Sequence, residues 1–269
     1  SVPTIEDDGF YIASDTWYFL LRNIKQQRPT LIVGPSGTGK TELISILSKK
    51  LDLPLINKDM GTMIDPISSL CGTHRAKAGN SVFEFAPFVK EIQEPCIMLL
   101  DELSRAPASS NNILLPLLDS RRTLRVEIAG DDNPKEFKAN IDCSFVATAN
   151  IGAEFSGTNS LDRALVDRFT FIEVGHLEKD IEAKVIAKRT GISPTDAETI
   201  ASIAYDIREL YKNNEISNNV SIRHTLEIGE LVKDGFGIEK ASELILFPLF
   251  DNSDVDSERA TIKNVLINY

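Results

Sequence analysis

The chain has 269 residues and a mass of 29.8 kDa, enough for one large core and a smaller domain. Hydrophobic residues make up 42% of it and charged residues 26%, and no window approaches the roughly 18 uninterrupted apolar residues that a membrane span needs. The net charge of −11 and the isoelectric point near 4.9 argue against a surface that follows nucleic-acid phosphates.

The N-terminal region does not match a secretory signal peptide, because Asp7, Asp8 and Asp15 interrupt it. The chain has three cysteines, and neither they nor the three histidines show metal-ligand spacing. Cys96 and Cys143 begin apolar runs, so we interpret them as small core residues. We therefore expect a reducing, cytoplasmic compartment.

The first predicted helix begins near Asp15, whose carboxylate can cap it. The apolar run 31–33 then predicts a strand, and residues 42–51 predict a helix. The segment that joins them has the full sequence of a phosphate-binding P-loop, made of Gly34, Pro35, Ser36, Gly37, Thr38, Gly39, Lys40 and Thr41.

This P-loop has the strand before it and the helix after it that its chemistry requires. Its three glycines let the backbone N–H groups wrap around a polyphosphate. Lys40 can reach the β- and γ-phosphates, the hydroxyl of Thr41 can bind Mg²⁺, and Glu42 follows directly in the helix. The sequence therefore predicts binding of a nucleoside triphosphate.

The middle of the chain continues the alternation of strands and helices. Residues 55–56 predict a short strand, and residues 59–82 form a long polar connection. Phe85, Phe88, Val89 and Ile92 have helical spacing, which predicts a helix over residues 83–93. A buried strand over 96–100 and a helix over 107–119, with proline in its first turn, are expected next.

A hairpin is predicted from two alternating segments, 123–128 and 136–141, that flank turn residues at 130–134. A buried strand over 143–149, a helix over 160–167 and a strand over 169–174 follow. Alternating strands and helices predict an α/β fold, with a parallel sheet covered by helices on both faces.

After residue 175 the pattern is helical throughout. We therefore predict two domains, a nucleotide-binding α/β domain over 1–174 and a small all-helical lid over 175–269. Ser193, Pro194 and Asp196 carry a helix-start signal. The predicted lid helices span residues 178–189, 194–211, 222–233, 238–247 and a final stretch from 254.

Polar side chains follow two of the predicted buried strands. Asp101 and Glu102 come directly after the strand that ends at Leu100, and Asn150 comes directly after the strand over 145–149. In a parallel sheet, ligands bind at the carboxyl ends of the strands. Asp101 can hold Mg²⁺, Glu102 can polarise an attacking water, and Asn150 can reach the γ-phosphate if the two strands are neighbours.

The order of these motifs resembles that of an AAA+ ATPase. Within that superfamily the chain resembles the MoxR-type group, which includes the cobaltochelatase small subunit and rubisco-activase-like chaperones. Residues 161–169 complete the motif order that resembles AAA+ ATPases. Two further features resemble the MoxR-type group: the segment 101–107, which is similar to its Asp-Glu-x-Asn-Arg-Ala-Pro with Ser104 in place of Asn, and the hairpin just before the Asn150 strand. The resemblance covers residues 15–175 well, and the helical remainder matches in position and type.

The resemblance implies a site for ATP and Mg²⁺, with Lys40 and Thr41 as Walker A, Asp101 and Glu102 as Walker B, and Asn150 as sensor 1. Arg168, just before Phe169, stands where the family places an arginine finger, and Arg163 is a second candidate. Arg223, in the first turn of a lid helix, corresponds to sensor 2. A cation there is unfavourable for the helix dipole, which indicates that it serves an anion.

The resemblance also implies a homo-oligomer, a hexameric ring, that remodels a partner protein. Some members of the group work beside von Willebrand A-domain proteins, so a separate protein of that kind is one candidate client. Contacts in the pore would come from residues 59–82 and from the hairpin.

Two other functions compete with this interpretation. A nucleic-acid motor of the McrB type, which uses GTP, shares the architecture, but here Asn150 is followed by Ile151 and Gly152 rather than by Thr-Ala-Asp. A nucleotide-gated scaffold would bind without turnover, and the presence of Glu102 and Arg168 argues against it. The acidic balance argues against nucleic acid as the partner.

Overall fold

The structure is a computed structural model, and it describes residues 1–77, 80–128, 134–150, 162–252 and 257–269. Within these ranges the strands are β1 (Thr30–Gly34), β2 (Leu55–Asp59), β3 (Gly72–Lys77), β4 (Asn80–Phe85), β5 (Cys96–Asp101), β6 (Thr123–Val126), β7 (Lys135–Lys138), β8 (Cys143–Asn150) and β9 (Thr170–Glu173).

The same ranges contain α-helices before and after residue 175. Those before it are α1 (Ile5–Asp8), α2 (Ser14–Lys25), α3 (Lys40–Leu51), α4 (Pro87–Glu91), α5 (Ser110–Leu118) and α6 (Arg163–Val166). Those after it are α7 (Lys179–Thr190), α8 (Pro194–Lys212), α9 (Ile222–Lys233), α10 (Ile238–Leu246) and α11 (Glu258–Leu266). None of the described helices is both long enough and apolar enough to cross a bilayer.

The main sheet has five strands in the order β2-β5-β8-β1-β9, and each neighbouring pair is parallel. From Cys96 to Leu100, every residue of β5 is 0% exposed. Because successive side chains point to opposite faces of a strand, both faces of the sheet must be covered. The predicted α/β fold with a covered parallel sheet is confirmed.

The register brings three strand ends together at one edge of the sheet. Gly34 at the end of β1 is the register partner of Asn150 at the end of β8. On the other side of β8, Leu100 of β5 is the partner of Ala147, and Asp101 follows Leu100. The strand of the P-loop and the strand of the acidic pair are therefore separated by one strand.

The described chain divides into two compact units. The first contains Ser1, Ser14–Pro35 and Lys40–Val174, and the second contains Val2–Ala13, Ser36–Gly39 and Gly175–Tyr269. Each unit has its own apolar core. Leu100, Leu117 and Phe145 belong to the core of the first unit, and Ile207 and Ile228 to that of the second.

The helical second half agrees with the sequence patterns. Helix α9 has the predicted limits, and the other helix ends lie within a few residues of the prediction. Ser193 caps α8, since its hydroxyl accepts from the N–H of Asp196 and donates to the Asp196 carboxylate. Gly191 ends α7 in the left-handed conformation, with φ of 77°.

The predicted helix over 83–93 is wrong in its first part. Phe83 and Phe85 lie in β4, and the helix begins only at Pro87. Strand β4 pairs antiparallel with β3, and the rings of His74 and Phe83 meet edge to face with centroids 5.1 Å apart. Over so short a run, the spacing of the phenylalanines fits both the period of a helix and that of a strand. The pairing of β4 with β3 favours the strand.

The polar connection 59–82 also contains structure that the sequence did not indicate, namely a π-helical turn at Ile67–Cys71 and the strand β3. The helix expected over 107–119 begins at Ser110 instead. The carbonyl of Pro107 accepts from both the N–H and the hydroxyl of Ser110, which closes a separate turn before the helix.

The predicted hairpin is confirmed, because β6 and β7 pair antiparallel. It meets the β3–β4 hairpin through the rings of Phe137 and Phe85, whose centroids are 5.1 Å apart. The turn predicted at 130–134 lies mostly outside the described residues, as do Ile151 and Gly152, the helix start at 160–161 and the stretch 253–256.

Candidate functional site

The P-loop connects the end of β1 to the start of α3, as its sequence predicts. Gly37 and Gly39 have φ of 73° and 83°, a left-handed region that is costly for residues with a side chain. Lys40 is the first residue of α3, and Glu42 lies in its first turn. The loop therefore ends in N–H groups at a helix N-terminus, where anions bind.

The side chain of Lys40 is folded into the loop and is only 7% exposed. Its ammonium donates to the carbonyl oxygens of Gly34, at 3.0 Å, and Pro35, at 2.7 Å. These bonds keep a positive charge within the loop, beside the N–H groups of the helix start. An anion bound by the loop would meet this charge.

The hydroxyl of Thr41 lies 3.2 Å from both carboxylate oxygens of Asp101, a residue 60 positions further along the chain. One side chain comes from the start of α3 and the other from the end of β5. A hydroxyl and a carboxylate are both hard oxygen ligands, the kind that Mg²⁺ prefers in proteins. The two residues that the sequence predicts as metal ligands are thus brought together.

Glu102 follows Asp101 in an unusual backbone conformation, with φ of 55° and ψ of 40°. Its carboxylate lies 3.1 Å from the guanidinium of Arg105, and both side chains are partly exposed. Gly61, in the loop after β2, faces the same carboxylate, since a Cβ added there would come within 2.6 Å of Glu102 Oε2.

Thr148 is a site residue that the sequence analysis missed. It lies on β8, 2% exposed, and its hydroxyl accepts from the backbone N–H of Glu102 at 3.1 Å. The same hydroxyl donates to Asp101 Oδ1. Threonine is common in strands, so its identity carried no signal. Its position two residues before Asn150, on the same face of the strand, was the available clue.

Asn150 lies at the end of β8, beside Gly34 of β1 and on the strand next to β5. The condition that the sequence set for its reach to a γ-phosphate, that the two strands are neighbours, is therefore met.

The arginines differ in their surroundings. Arg163, at the start of α6, is exposed. Arg168, two residues beyond the end of α6, is half-buried, and its guanidinium donates to the carbonyl of Ala164 in that helix. Of the two, Arg163 has its side chain in solvent, whereas Arg168 would have to leave a bond to reach another molecule.

Arg223 is the second residue of α9 and is exposed. Beside it, His224 Nδ1 accepts from the N–H of Ser221 at 3.2 Å, which requires that nitrogen to be unprotonated. Burial holds the pKa of His224 below its ordinary value, and the charges of Arg223 and Arg208 act in the same direction against that of Glu227. Near neutral pH the positive charge at this helix start is therefore that of Arg223.

Two family models match this chain, one after the other. Residues 29–169 match the family model of the AAA domain, dynein-related subfamily, and residues 182–266 match the CbbQ/NirQ/NorQ C-terminal model. The first match covers more than half of the chain and contains the P-loop, the acidic pair, Thr148 and Asn150.

The relatives include the putative chaperone BssE of Thauera aromatica, which is 29% identical over 97% of this chain and 87% of its own length. Protein NorQ of Paracoccus denitrificans is 27% identical over 84% of this chain and 82% of its own. Among solved structures, a RuvB mutant of Thermogota maritima has the same fold, with a TM-score of 0.57 at 15% identity over 87% of this chain and 70% of that one. The chain belongs to the AAA+ ATPases, in their MoxR-like group.

Proposed function

We propose that this protein binds ATP with Mg²⁺ at the carboxyl edge of its sheet, hydrolyses it, and uses the energy to remodel a partner protein. The observation that carries the proposal is the approach of Thr41 to Asp101, at 3.2 Å from both carboxylate oxygens. This contact brings the end of the P-loop, at Thr41, next to the end of β5, at Asp101.

The side chains at the carboxyl end of the sheet suit a complex of Mg²⁺ with a nucleotide. Thr41 and Asp101 offer a hydroxyl and a carboxylate, and Lys40 offers an ammonium within the phosphate loop. Thr41 and Asp101 would hold Mg²⁺, which would neutralise negative charge on the nucleotide phosphates. Lys40 would leave the carbonyls of Gly34 and Pro35 to pair with phosphate oxygens, because a bond between opposite charges is stronger than one to a neutral carbonyl.

Glu102 is the candidate general base. A base must lie within hydrogen-bond reach of the water that it activates. Glu102 follows Asp101 directly, so its carboxylate is at the same end of the sheet. Gly61 lies close to this carboxylate, and the guanidinium of Arg105 pairs with it. Asn150, at the end of the adjoining strand, would orient the γ-phosphate and the attacking water.

Rapid hydrolysis is proposed to need an arginine from a neighbouring copy of the chain. A trans arginine that stabilises transition-state charge raises phosphoryl-transfer rates by about 10³ to 10⁵. Arg163 and Arg168 are the candidates. We therefore propose a ring of identical subunits, hexameric as the family resemblance implies.

The partner is proposed to be a protein rather than a nucleic acid. BssE, similar over nearly the whole chain, carries the name of a putative chaperone. The net charge of −11 is unfavourable for binding to a polyanion. Contacts with the client would come from the β3–β4 and β6–β7 hairpins, and a von Willebrand A-domain protein is one candidate.

A turnover assay tests this proposal. Phosphate release from ATP should require Mg²⁺ and be lost in Lys40→Ala. The rate per subunit should increase with protein concentration as subunits assemble. Calorimetric titration should show that Lys40→Ala no longer binds ATP. Unchanged ATP affinity in this variant would contradict the assignment of the loop, and DNA binding that weakens with salt would favour a nucleic-acid motor.

A further inference from the structure

Strand β8 carries a buried hydroxyl, that of Thr148, next to Asp101 and Glu102 at the carboxyl end of the sheet. Thr148 is 2% exposed, and the carboxylate of Asp101 and the backbone N–H of Glu102 both contact its side-chain oxygen. We infer that Thr148 is a positioning residue that sets the geometry of both acids through this one hydroxyl. This inference rests on the proposed ATPase function.

The two bonds use both capacities of a hydroxyl group. The oxygen accepts from the N–H of Glu102 at 3.1 Å, and the hydrogen is donated to Asp101 Oδ1. Neither valine, which has the same shape, nor alanine could make either bond. Serine could make both, since it keeps the hydroxyl on the same carbon.

For Asp101, the bond fixes the direction of the carboxylate. Thr148 holds Oδ1 from β8, while Thr41 approaches both oxygens from the start of α3. A carboxylate held by two hydroxyls from different elements cannot rotate without breaking a bond. The oxygens are therefore preset for the ligand that the phosphate loop brings.

For Glu102, the bond stabilises an unfavourable backbone. A residue with a side chain rarely has φ of 55° and ψ of 40°, and such a conformation persists only where surrounding contacts enforce it. The bond from the Glu102 N–H to Thr148 is one such contact. The bond from the N–H of Arg105 to the Glu102 carbonyl, at 2.9 Å, is another.

A matched residue separates this role from simple packing. Thr30 on β1 is 0% exposed, and its hydroxyl donates to the carbonyl of Arg28 at 3.1 Å, at the amino end of the strand. Thr30→Val removes a buried hydroxyl from the same sheet without touching the acids. It should therefore reproduce any general loss of stability that Thr148→Val causes.

The first measurement needs no nucleotide. Amide hydrogen exchange at Glu102 is followed by NMR in the wild type, Thr148→Val, Thr148→Ser and Thr30→Val. Loss of the acceptor should speed exchange at Glu102 about tenfold in Thr148→Val, and the other two variants should keep wild-type protection. Equal protection in all four proteins would overturn the inference.

The second measurement is turnover of ATP against Mg²⁺ concentration. Thr148→Val should lower kcat on the order of 10- to 100-fold and require more Mg²⁺, because a bond to a charged group is lost. Thr148→Ser should recover most of the rate, and Thr30→Val should keep it. If serine fails as valine does, or if valine is within twofold of wild type, Thr148 has no positioning role.

The two measurements keep this inference separate from the proposed function. If the wild-type protein does not hydrolyse ATP, the proposed function fails, and exchange at Glu102 still decides whether Thr148 holds the acidic pair. If wild-type turnover is normal and the valine variant matches it, only the role of Thr148 fails.

Discussion

The guanidinium of Arg105 lies 3.1 Å from the carboxylate of Glu102, so the proposed base already has a cationic partner three residues away. About half of the Arg105 side chain, 54%, is exposed, as is 39% of the Glu102 side chain. Ion pairs with this much solvent contact contribute about 0.2–1 kcal/mol. The contact can therefore bias the position of the base but cannot hold it against a stronger partner.

Arg105→Gln should consequently have a small effect on hydrolysis. Loss of an exposed pair of this strength changes a rate by at most about fivefold. Steady-state phosphate release from the variant and the wild type measures the change. A loss of tenfold or more would mean that Arg105 acts elsewhere, for example on a neighbouring subunit.

Gly61→Ala should lower turnover and leave nucleotide binding intact. The new Cβ would lie 2.6 Å from Glu102 Oε2, the mobile end of a side chain, so the carboxylate moves and the fold is retained. Displacement of a catalytic group by about 1 Å can cost on the order of 10²-fold in rate. Turnover and ATP affinity are measured together, and we expect only turnover to fall.

Gly237→Ala is the matched control for that change. A Cβ at Gly237 would meet nothing within 4 Å, and the residue has an ordinary φ of −65°. Its turnover should equal that of the wild type. If both glycine variants lose activity alike, the loss does not come from the contact with Glu102.

Much of this site could be predicted from the sequence, because the P-loop and the acidic pair are each formed by consecutive residues that can be recognised as motifs. The same holds for α9, where a 12-residue pattern between clear ends determined both limits. Long periodic segments average over many residues, whereas Phe83 and Phe85 lie in a run too short to separate the helical period from that of a strand.

What could not be predicted depends on backbone geometry and on contacts between distant residues. The left-handed conformation of Glu102 is not encoded in its residue type, yet it brings its N–H to Thr148, 46 positions away. Gly61 is likewise an ordinary loop glycine in the sequence, and its closeness to Glu102 appears only when β2 lies beside β5.

Arg208→Ala should destabilise the helical unit strongly. Arg208 pairs with Glu182, and these side chains are only 10% and 1% exposed; Arg208 Nε also donates to the carbonyl of Val220 at 2.7 Å. Truncation leaves the Glu182 carboxylate buried without its cation, which costs about 3–5 kcal/mol. Urea unfolding measures the difference.

Lys240→Ala provides the comparison for that experiment. Lys240 pairs with Glu243 on the surface of α10, and its side chain is 63% exposed. Loss of this pair should cost less than about 1 kcal/mol. Similar losses in the two variants would show that the Glu182–Arg208 pair contributes no more than a surface pair.

Catalysis in trans should be visible when two inactive proteins are mixed. Arg168→Ala should bind ATP and fail to hydrolyse it, whereas Lys40→Ala cannot bind ATP but keeps its arginines. In a mixed ring, a Lys40→Ala subunit can supply Arg168 to a neighbour with an intact P-loop, so activity should partly recover. Arg163→Ala, mixed in the same way, tests the exposed alternative on α6.

The outcome of mixing distinguishes the two arginines. No recovery with Arg168→Ala, in mixtures where subunit exchange is demonstrated, would leave Arg168 as a structural residue that holds the carbonyl of Ala164. Recovery with Arg163→Ala alone would then assign the trans role to Arg163.

The proposed role of Glu102 is to activate water for the hydrolysis of ATP held by the P-loop, and the variant Glu102→Gln is the sharpest test of that role. The amide cannot accept a proton, while Asp101 and Thr41 keep their places 3.2 Å apart. Calorimetric titration with MgATP and phosphate release should be measured on the same sample. We predict ATP affinity within about twofold of wild type and a loss of turnover of at least about 10²-fold. Hydrolysis at a near wild-type rate would show that Glu102 is not the general base.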